Sequence, residues 1–187
     1  MKINIPNTLT AMRILLLPLI IILFYSDIEN ARPFSCLLFA IISITDWLDG
    51  YLARALNQES ELGAFLDPVA DKLLVIVVLL LLLEDNPQFW LTLPIMVIIC
   101  REVIISALRE WMAKLGETRS TAVNFIGKIK TTSQMLALGF MLYQQPLLSM
   151  PNYEIGIILL YASAILTIYS MFFYIYKSLH IIKKTSN

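Results

Sequence analysis

The sequence predicts an all-α integral membrane protein with six transmembrane helices and a short N-terminal interfacial segment. Of its 187 residues, 58% are hydrophobic and only 15% are charged, and the mean hydropathy of +0.75 is far above that of a soluble domain. The apolar residues also gather into six stretches, each long enough to cross a hydrocarbon core of about 30 Å as a helix. These stretches lie at about residues 8–26, 33–56, 63–84, 88–114, 121–145 and 154–181.

The start of the first span is set by the polar residues before it. Residues 3–7 read as an interfacial segment, after which Thr8 or Thr10 can cap the span. Lys2 and the apolar run after Arg13 also suggest a secretory signal. No small-residue cleavage site follows that run, so we interpret the segment as the first span.

The remaining spans follow one another with short loops. Spans two and three contain aspartates at helical spacing. Trp90 and Trp111 lie near opposite ends of the fourth span, as expected for aromatic belts. Pro18 and Pro94 lie inside the first and fourth spans, where neighbouring helices can satisfy the freed carbonyl groups. The fifth and sixth spans are long apolar runs. Because no linker or internal repeat is present, we expect residues 1–187 to form a single transmembrane domain.

The charges are sorted along the chain although the formal net charge is zero. With the N-terminus inside, Arg32 is the one basic residue among 14 that falls outside, so the positive-inside rule favours cytoplasmic N- and C-termini. The turn between the second and third spans then faces the cytoplasm. The outer loops carry acidic residues, namely Asp27, Glu29, Glu84, Asp85 and Glu154.

The most specific motif is a set of four aspartates inside the second and third spans. It reads Asp46-x-x-Asp49-Gly50-x-x-Ala53-Arg54, followed after eight residues by Gly63-x-x-x-Asp67-x-x-x-Asp71. At about 100° per residue, the aspartates of each helix share one face. An ionisable residue at the bilayer centre costs roughly 2.5–3.5 kcal/mol, so four carboxylates need a compensating charge. Divalent cations with oxygen ligands supply such a charge, and Gly50, Ala53 and Gly63 keep that face open for a phosphate-bearing ligand.

Two other interpretations of the aspartates stay open. The aspartates could cap helices or pair with buried basic residues, for which Arg54, Lys72 and Arg101 are candidates. They could instead form the binding site of a membrane cation or proton carrier. Arg54 argues against a carrier, because a guanidinium beside the site helps a bound diphosphate and not a passing cation. Arg13 either extends to the cytoplasmic interface or points at the aspartates.

In every position this motif is similar to the signature of the CDP-alcohol phosphotransferase family. The resemblance implies a six-helix membrane enzyme, usually a homodimer, that transfers a phosphatidyl or phosphoalcohol group from a CDP-linked donor to an alcohol and releases CMP. It implies that Asp46, Asp49, Asp67 and Asp71 ligate a two-metal centre. Since these ligands are all hard carboxylates, we expect Mg²⁺ or Mn²⁺.

The resemblance also assigns roles within the site. It implies that Asp71 takes the proton from the attacking hydroxyl. Gly50, Ala53 and Gly63 leave room for the nucleotide of CDP-diacylglycerol, and Arg54 holds the diphosphate.

Three segments outside the motif resemble the bacterial phosphatidylglycerophosphate synthase branch of that family. They are Asn4-Ile-Pro-Asn-x-Leu-Thr-x-x-Arg13, Arg101-Glu-Val-Ile-Ile-Ser-Ala-Leu-Arg109-Glu and Gly127-Lys-Ile-Lys130-Thr-Thr-Ser-Gln-Met135. This likeness implies CDP-diacylglycerol as donor, sn-glycerol 3-phosphate as acceptor, membrane lipids as partners and a place in the bacterial cytoplasmic (inner) membrane. It implies no nucleic acid. Other acceptors known in the family are phosphatidylglycerol, inositol phosphate and serine.

Four basic residues at the inner ends of the fourth and fifth spans fit a dianionic acceptor. We expect Arg101, Arg109, Lys128 and Lys130 to bind the phosphate of glycerol 3-phosphate. The alternative for each is ordinary anchoring at the cytoplasmic interface. Arg101, at membrane depth, is the hardest of the four to explain as an anchor.

Overall fold

The chain folds into six α-helices in a computed structural model that describes the backbone of residues 5–55, 61–114, 125–145 and 150–185 and the side chains of residues 8–46, 63, 65–114, 127, 129–145, 150–176, 178 and 179. No strand occurs in these ranges. The helices are α1 Ile5–Phe24, α2 Ala31–Ala55, α3 Glu61–Asp85, α4 Phe89–Lys114, α5 Phe125–Tyr143 and α6 Asn152–Thr185. The predicted all-α architecture with six helices is confirmed.

Residues with positive φ shape two of the helix connections. Asn30, with φ 65°, directly precedes α2, and Gln144, with φ 55°, directly follows α5. The backbone N–H of Gln144 donates to the carbonyl of Phe140 at 3.4 Å, which is the hydrogen bond of a left-handed helix C-terminus. These single-residue reversals allow the connections to be short.

Two of the helices are long and apolar enough to cross a membrane by length and composition, as far as the described residues go. They are α4 and the Asn152–Tyr176 part of α6. In α1 the apolar stretch is shorter and covers Thr8–Phe24. Six transmembrane spans therefore stay a prediction.

The chain divides into two compact units, and each is described by itself. The first unit comprises residues Met1–Asp85 and Leu138–Gly156. In it, α1 contacts both α2 and α3, and α2 contacts α3. Fully buried apolar side chains of this unit include Ile20, Ile42, Val78, Leu79, Leu138 and Met141.

Polar contacts tie together the end of the first unit that the charge pattern places outside. Arg32 forms an ion pair with Asp85, and its guanidinium lies over the Phe24 ring, 3.6 Å from the centroid. Gln144 Nε2 also donates to Asp85, at 2.8 Å. Because Asp85 neutralises Arg32, the one basic residue predicted outside adds no net charge there.

The second unit comprises Asn86–Ala137 and Ile157–Asn187. Its most buried apolar side chains include Leu91, Ile98, Met112, Ala137 and Leu160. Several polar side chains are also buried in this unit, namely Arg101, Lys130, Gln134, Ser163, Thr167 and Ser170. These buried polar groups need hydrogen-bond partners, because unpaired polar groups are costly inside apolar helices. The division into two compact units does not test whether residues 1–187 form a single domain, which stays a prediction.

Candidate active site

Three aspartates of the motif converge on the guanidinium of Arg13 in the first unit. Arg13 Nη1 donates to Asp46 Oδ1 at 2.5 Å and to Asp71 Oδ1 at 2.9 Å. Arg13 Nη2 lies 3.8 Å from Asp67 Oδ1. The Arg13 side chain is only 3% exposed, whereas those of the aspartates are 40–49% exposed. We call these four residues the aspartate cluster.

Helix geometry explains the convergence. Asp67 and Asp71 are four residues apart in α3 and so lie on the same face, one turn from each other. Thr10 and Arg13 are three residues apart in α1 and likewise share a face. Because α1 packs against both α2 and α3, the α1 face reaches Asp46 as well. Three helices thus contribute to one polar cluster.

Thr10 contacts the aspartate cluster and does not lie at the start of a helix. The predicted N-cap at Thr8 or Thr10 is wrong, because α1 begins at Ile5 and both threonines lie inside it. Thr10 is 1% exposed, and its hydroxyl donates to Asp67 Oδ1 at 2.6 Å.

The contacts decide between the two positions considered for Arg13. Its side chain points at the aspartates and does not extend to the interface. The interpretation that the aspartates pair with a buried basic residue therefore holds for three of them, with Arg13 as the partner. Such pairing is compatible with ligand binding, since the three carboxylates stay 40–49% exposed.

Several predicted site residues have side chains outside the described part of the structure. Gly63 is buried in the first turn of α3, and Asp67 and Asp71 are placed as above. The side chains that are not described are those of Asp49, Ala53, Arg54 and Lys128, and Gly50 is likewise undescribed beyond its place in α2.

The aspartate cluster fits a hard divalent cation by the chemistry of its donors. Asp46, Asp67 and Asp71 offer carboxylate oxygens only, which Mg²⁺ and Mn²⁺ prefer. Among the described side chains, no three Asp, Glu, His or Cys residues are arranged to hold a metal ion. Asp49, the fourth predicted ligand, lies outside that set. The two-metal centre therefore stays a prediction.

A second polar cluster lies in the second unit, around Glu102 of α4. Glu102 Oε1 accepts hydrogen bonds from Arg101 Nη1 at 3.0 Å and from Lys130 Nζ at 2.8 Å. Arg101 Nη2 also donates to Ser170 Oγ of α6, at 3.2 Å. Arg101, Glu102, Lys130 and Ser170 form what we call the Glu102 cluster, which joins α4, α5 and α6.

Burial separates the predicted acceptor-binding residues. The side chains of Arg101 and Lys130 are 8% and 1% exposed, so neither behaves as an interfacial anchor, whose charged head stays in water. Arg109 is exposed, and its guanidinium lies 5.4 Å from the centroid of the Tyr174 ring. The anchoring interpretation is thus wrong for Arg101 and Lys130.

Two members of these clusters were not identified from the sequence. Glu102 carried a usable signal, since a carboxylate beside Arg101 in an apolar span needs a partner. Ser170 carried none, because a single serine in a long apolar helix is an ordinary packing residue.

Comparison with known proteins gives consistent matches over nearly the whole chain. The sequence model of the CDP-alcohol phosphatidyltransferase family matches residues 3–169. A protein of Haemophilus influenzae named CDP-diacylglycerol--glycerol-3-phosphate 3-phosphatidyltransferase is 53% identical over 177 residues, which cover 94% of this chain and 93% of the relative. Proteins of the same name from Salmonella choleraesuis and Shigella flexneri serotype 5b are 48% and 46% identical over 178 residues, with 94% of each chain covered.

Proposed function

The chain belongs to the CDP-alcohol phosphatidyltransferase family, and we propose that it transfers the phosphatidyl group of CDP-diacylglycerol to sn-glycerol 3-phosphate. The products are phosphatidylglycerol phosphate and CMP, which makes the reaction a step of phospholipid biosynthesis. The observation that carries this proposal is the match to relatives of that name at 46–53% identity over 94% of the chain. The family resemblance first inferred from the aspartate motif is confirmed by the same comparison.

The reaction exchanges one phosphorus–oxygen bond for another. A hydroxyl oxygen of glycerol 3-phosphate attacks the phosphorus that carries the diacylglycerol. The bond between that phosphorus and the oxygen bridging to CMP breaks, so CMP leaves with the bond's electron pair. The hydroxyl proton must be removed as the new bond forms, and general base catalysis of this kind typically contributes 10²–10⁴-fold to the rate.

Asp71 is the residue we assign as that base. Its side chain is 49% exposed, so a substrate hydroxyl can approach it. Asp46, Asp49, Asp67 and Asp71 itself are assigned as the ligands of a two-metal centre. Two divalent cations held there would supply positive charge for the diphosphate and for the attacking and leaving oxygens.

The family resemblance supports the assignment of donor-binding residues. Arg54 is assigned to the diphosphate, where a guanidinium forms paired hydrogen bonds with phosphate oxygens. Gly50, Ala53 and Gly63 are assigned to the nucleotide, since small residues on a helix face leave room for it. The acyl chains of the donor remain in the bilayer, which gives a reason for a phosphoryl-transfer site within a membrane protein.

For the acceptor, we assign Arg101, Arg109, Lys128 and Lys130 to the phosphate of glycerol 3-phosphate. Two of these residues, Arg101 and Lys130, are buried cations that lie together beside one carboxylate. Their proximity supports a role in phosphate binding. A dianion is the ligand that such a group attracts most strongly. Serine, with one carboxylate, one ammonium group and no net charge, has less need of these cations than a dianion.

We further propose that all six helices span the bacterial cytoplasmic membrane, with both termini and the active site on the cytoplasmic side, and that the enzyme is a homodimer. The distribution of basic residues supports this orientation.

The proposed reaction is tested with the purified full-length protein in detergent. CDP-diacylglycerol is supplied with glycerol 3-phosphate, phosphatidylglycerol, inositol phosphate or serine, and CMP release is measured with and without each acceptor. We expect release that depends on glycerol 3-phosphate. Release driven best by another acceptor would change the assigned substrate. Complete absence of CMP release with every acceptor would instead favour the cation carrier.

A further inference from the structure

Glu102 connects two buried cations that lie on different helices, Arg101 of α4 and Lys130 of α5. One oxygen, Oε1, accepts from both Arg101 Nη1 and Lys130 Nζ, at 3.0 and 2.8 Å. Lys130 is 1% exposed and Arg101 is 8% exposed as a side chain, while Glu102 is 21% exposed. A single carboxylate oxygen therefore fixes the separation of the two positive groups.

The electrostatics require an anion at this place. Two cations buried near each other repel, and each loses its hydration. Glu102 offsets both effects and leaves Arg101, Glu102 and Lys130 with a net single positive charge. Ser170 then fixes the other end of the Arg101 guanidinium, through Nη2.

The Glu102 cluster still has unused hydrogen-bonding capacity. Arg101 Nε is buried and has no partner among the described residues, and the described contact of Lys130 uses one of the three donors of its ammonium group. Buried donors of this kind are normally satisfied. A bound oxyanion is the type of group that would accept from them.

We propose that Glu102 is a positioning residue, which holds Arg101 and Lys130 in the arrangement that receives the phosphate of the acceptor. This inference rests on the proposed function and adds a residue to it. Glu102 does not touch the acceptor, since a carboxylate and a phosphate repel. It acts through the two cations, which it holds together and oriented before the acceptor arrives, so less ordering is needed upon binding.

A purely structural role for Glu102 leads to a different result. If it only neutralised buried charge, its removal would lower the yield or thermal stability of the enzyme, and the enzyme that does fold would bind the acceptor normally. A positioning role affects the acceptor KM of the folded enzyme and leaves the donor KM unchanged. Kinetics on equal amounts of folded protein therefore separates the two.

The experiment compares wild type, Glu102→Gln and Glu102→Asp as purified full-length proteins in detergent, and varies each substrate at saturating levels of the other. Gln keeps the size but loses the charge, and Asp keeps the charge but is one methylene too short to bridge both cations. We expect Glu102→Gln to raise the acceptor KM by about tenfold to a hundredfold, as for loss of a charge-assisted contact. Glu102→Asp should raise it less, with unchanged donor KM in both.

Two controls make the result specific. Glu110→Gln removes another glutamate of α4, which pairs with Lys114 at the surface, and should leave both KM values unchanged. In a Lys130→Gln background, Glu102→Gln should raise the acceptor KM much less than in wild type, because a residue that acts through a partner loses its effect with that partner.

Each outcome has one meaning. Wild-type acceptor KM in both Glu102 variants overturns the inference and leaves the proposed function standing. Should Glu102→Gln fail to fold, Glu102→Asp decides, and a wild-type acceptor KM in that variant overturns the inference. A wild-type enzyme without CMP release dependent on glycerol 3-phosphate contradicts the proposed function itself.

Discussion

Arg13 contacts three aspartates of the motif, Asp46, Asp67 and Asp71. It joins α1 to α2 through Asp46 and to α3 through Asp71, and it is almost fully buried. In the absence of a bound cation, its guanidinium is the charge that offsets the carboxylates, which would otherwise repel one another. A residue of the first span thus completes a site whose motif lies in the next two.

We expect Arg13→Ala to lower the thermal stability of the metal-free protein clearly, and Arg13→Lys to lower it less. Breaking a buried ion pair costs on the order of 3 kcal/mol, and the partial exposure of the aspartates reduces this. Lysine keeps the charge but cannot donate in two directions from a planar fork. The measurement is the Tm in detergent with chelator present.

Lys114→Ala is the matched control for Arg13. Lys114 pairs with Glu110 across one turn of α4 with both side chains about 70% exposed, and exposed pairs contribute little. Its Tm should equal that of the wild type. An Arg13→Ala protein as stable as this control would show that Arg13 does not hold the three helices together.

Asp71→Asn should nearly abolish turnover and leave the fold and donor binding largely intact. The substitution removes the assigned base and changes the side-chain volume little, and such a base contributes roughly 10²–10⁴-fold. Single-turnover CMP release, compared on equal amounts of folded enzyme, measures the effect. Retention of more than about a tenth of the wild-type rate would exclude Asp71 as an essential base.

At the scale of the elements, α4 presents its basic residues in two different settings. Arg101 is buried in the Glu102 cluster, whereas Arg109, about two turns later, is exposed and lies beside the Tyr174 ring. The first setting restricts the side chain, and the second leaves it free to meet a ligand from the aqueous phase. Mutation of Arg109 therefore tests acceptor binding without removing any member of the Glu102 cluster.

We expect Arg109→Ala and Lys128→Ala each to lower kcat/KM for glycerol 3-phosphate about tenfold to a hundredfold, with the donor KM almost unchanged. A hydrogen bond between charged groups contributes roughly 1.5–3 kcal/mol, which corresponds to that range. Lys114→Ala, at the exposed end of the same helix as Arg109, is the control. Normal acceptor kinetics in both variants, accompanied by poorer membrane insertion, would favour anchoring instead.

At the scale of the whole molecule, the proposed function makes activity depend on divalent cations bound by the carboxylates of the first unit. Chelation should stop CMP release, and Mg²⁺ or Mn²⁺ should restore it, because the assigned ligands are hard oxygen donors with no Cys or His among them. Activity is measured after exhaustive metal removal, confirmed by elemental analysis. Full activity in metal-free enzyme would contradict the two-metal assignment.

The sequence alone identifies Arg101, Lys130 and the aspartate motif as candidate site residues. Each is a charged residue in an apolar stretch, and its cost in a bilayer identifies it without any structure. Glu102 carried the same signal but was hidden by its neighbour, since adjacent opposite charges can be read as a self-contained pair. Thr10 was misread because a threonine before an apolar run fits a helix cap, and its true partner, Asp67, is 57 residues away.

The sequence by itself determined the all-α architecture, the six helices to within a few residues, the aspartate motif and the family. It could do so because hydropathy and helical spacing are local properties, and because the motif lies within 26 consecutive residues, 46–71. Only the tertiary structure decided which charges meet. Arg13 could point to the interface or to the aspartates until the packing of α1 against α2 and α3 brought its guanidinium to Asp46 and Asp71. Likewise, Glu102 became a shared partner of two cations only when α5 placed Lys130 beside α4. Contacts between residues far apart in the chain depend on helix packing, which no local pattern encodes.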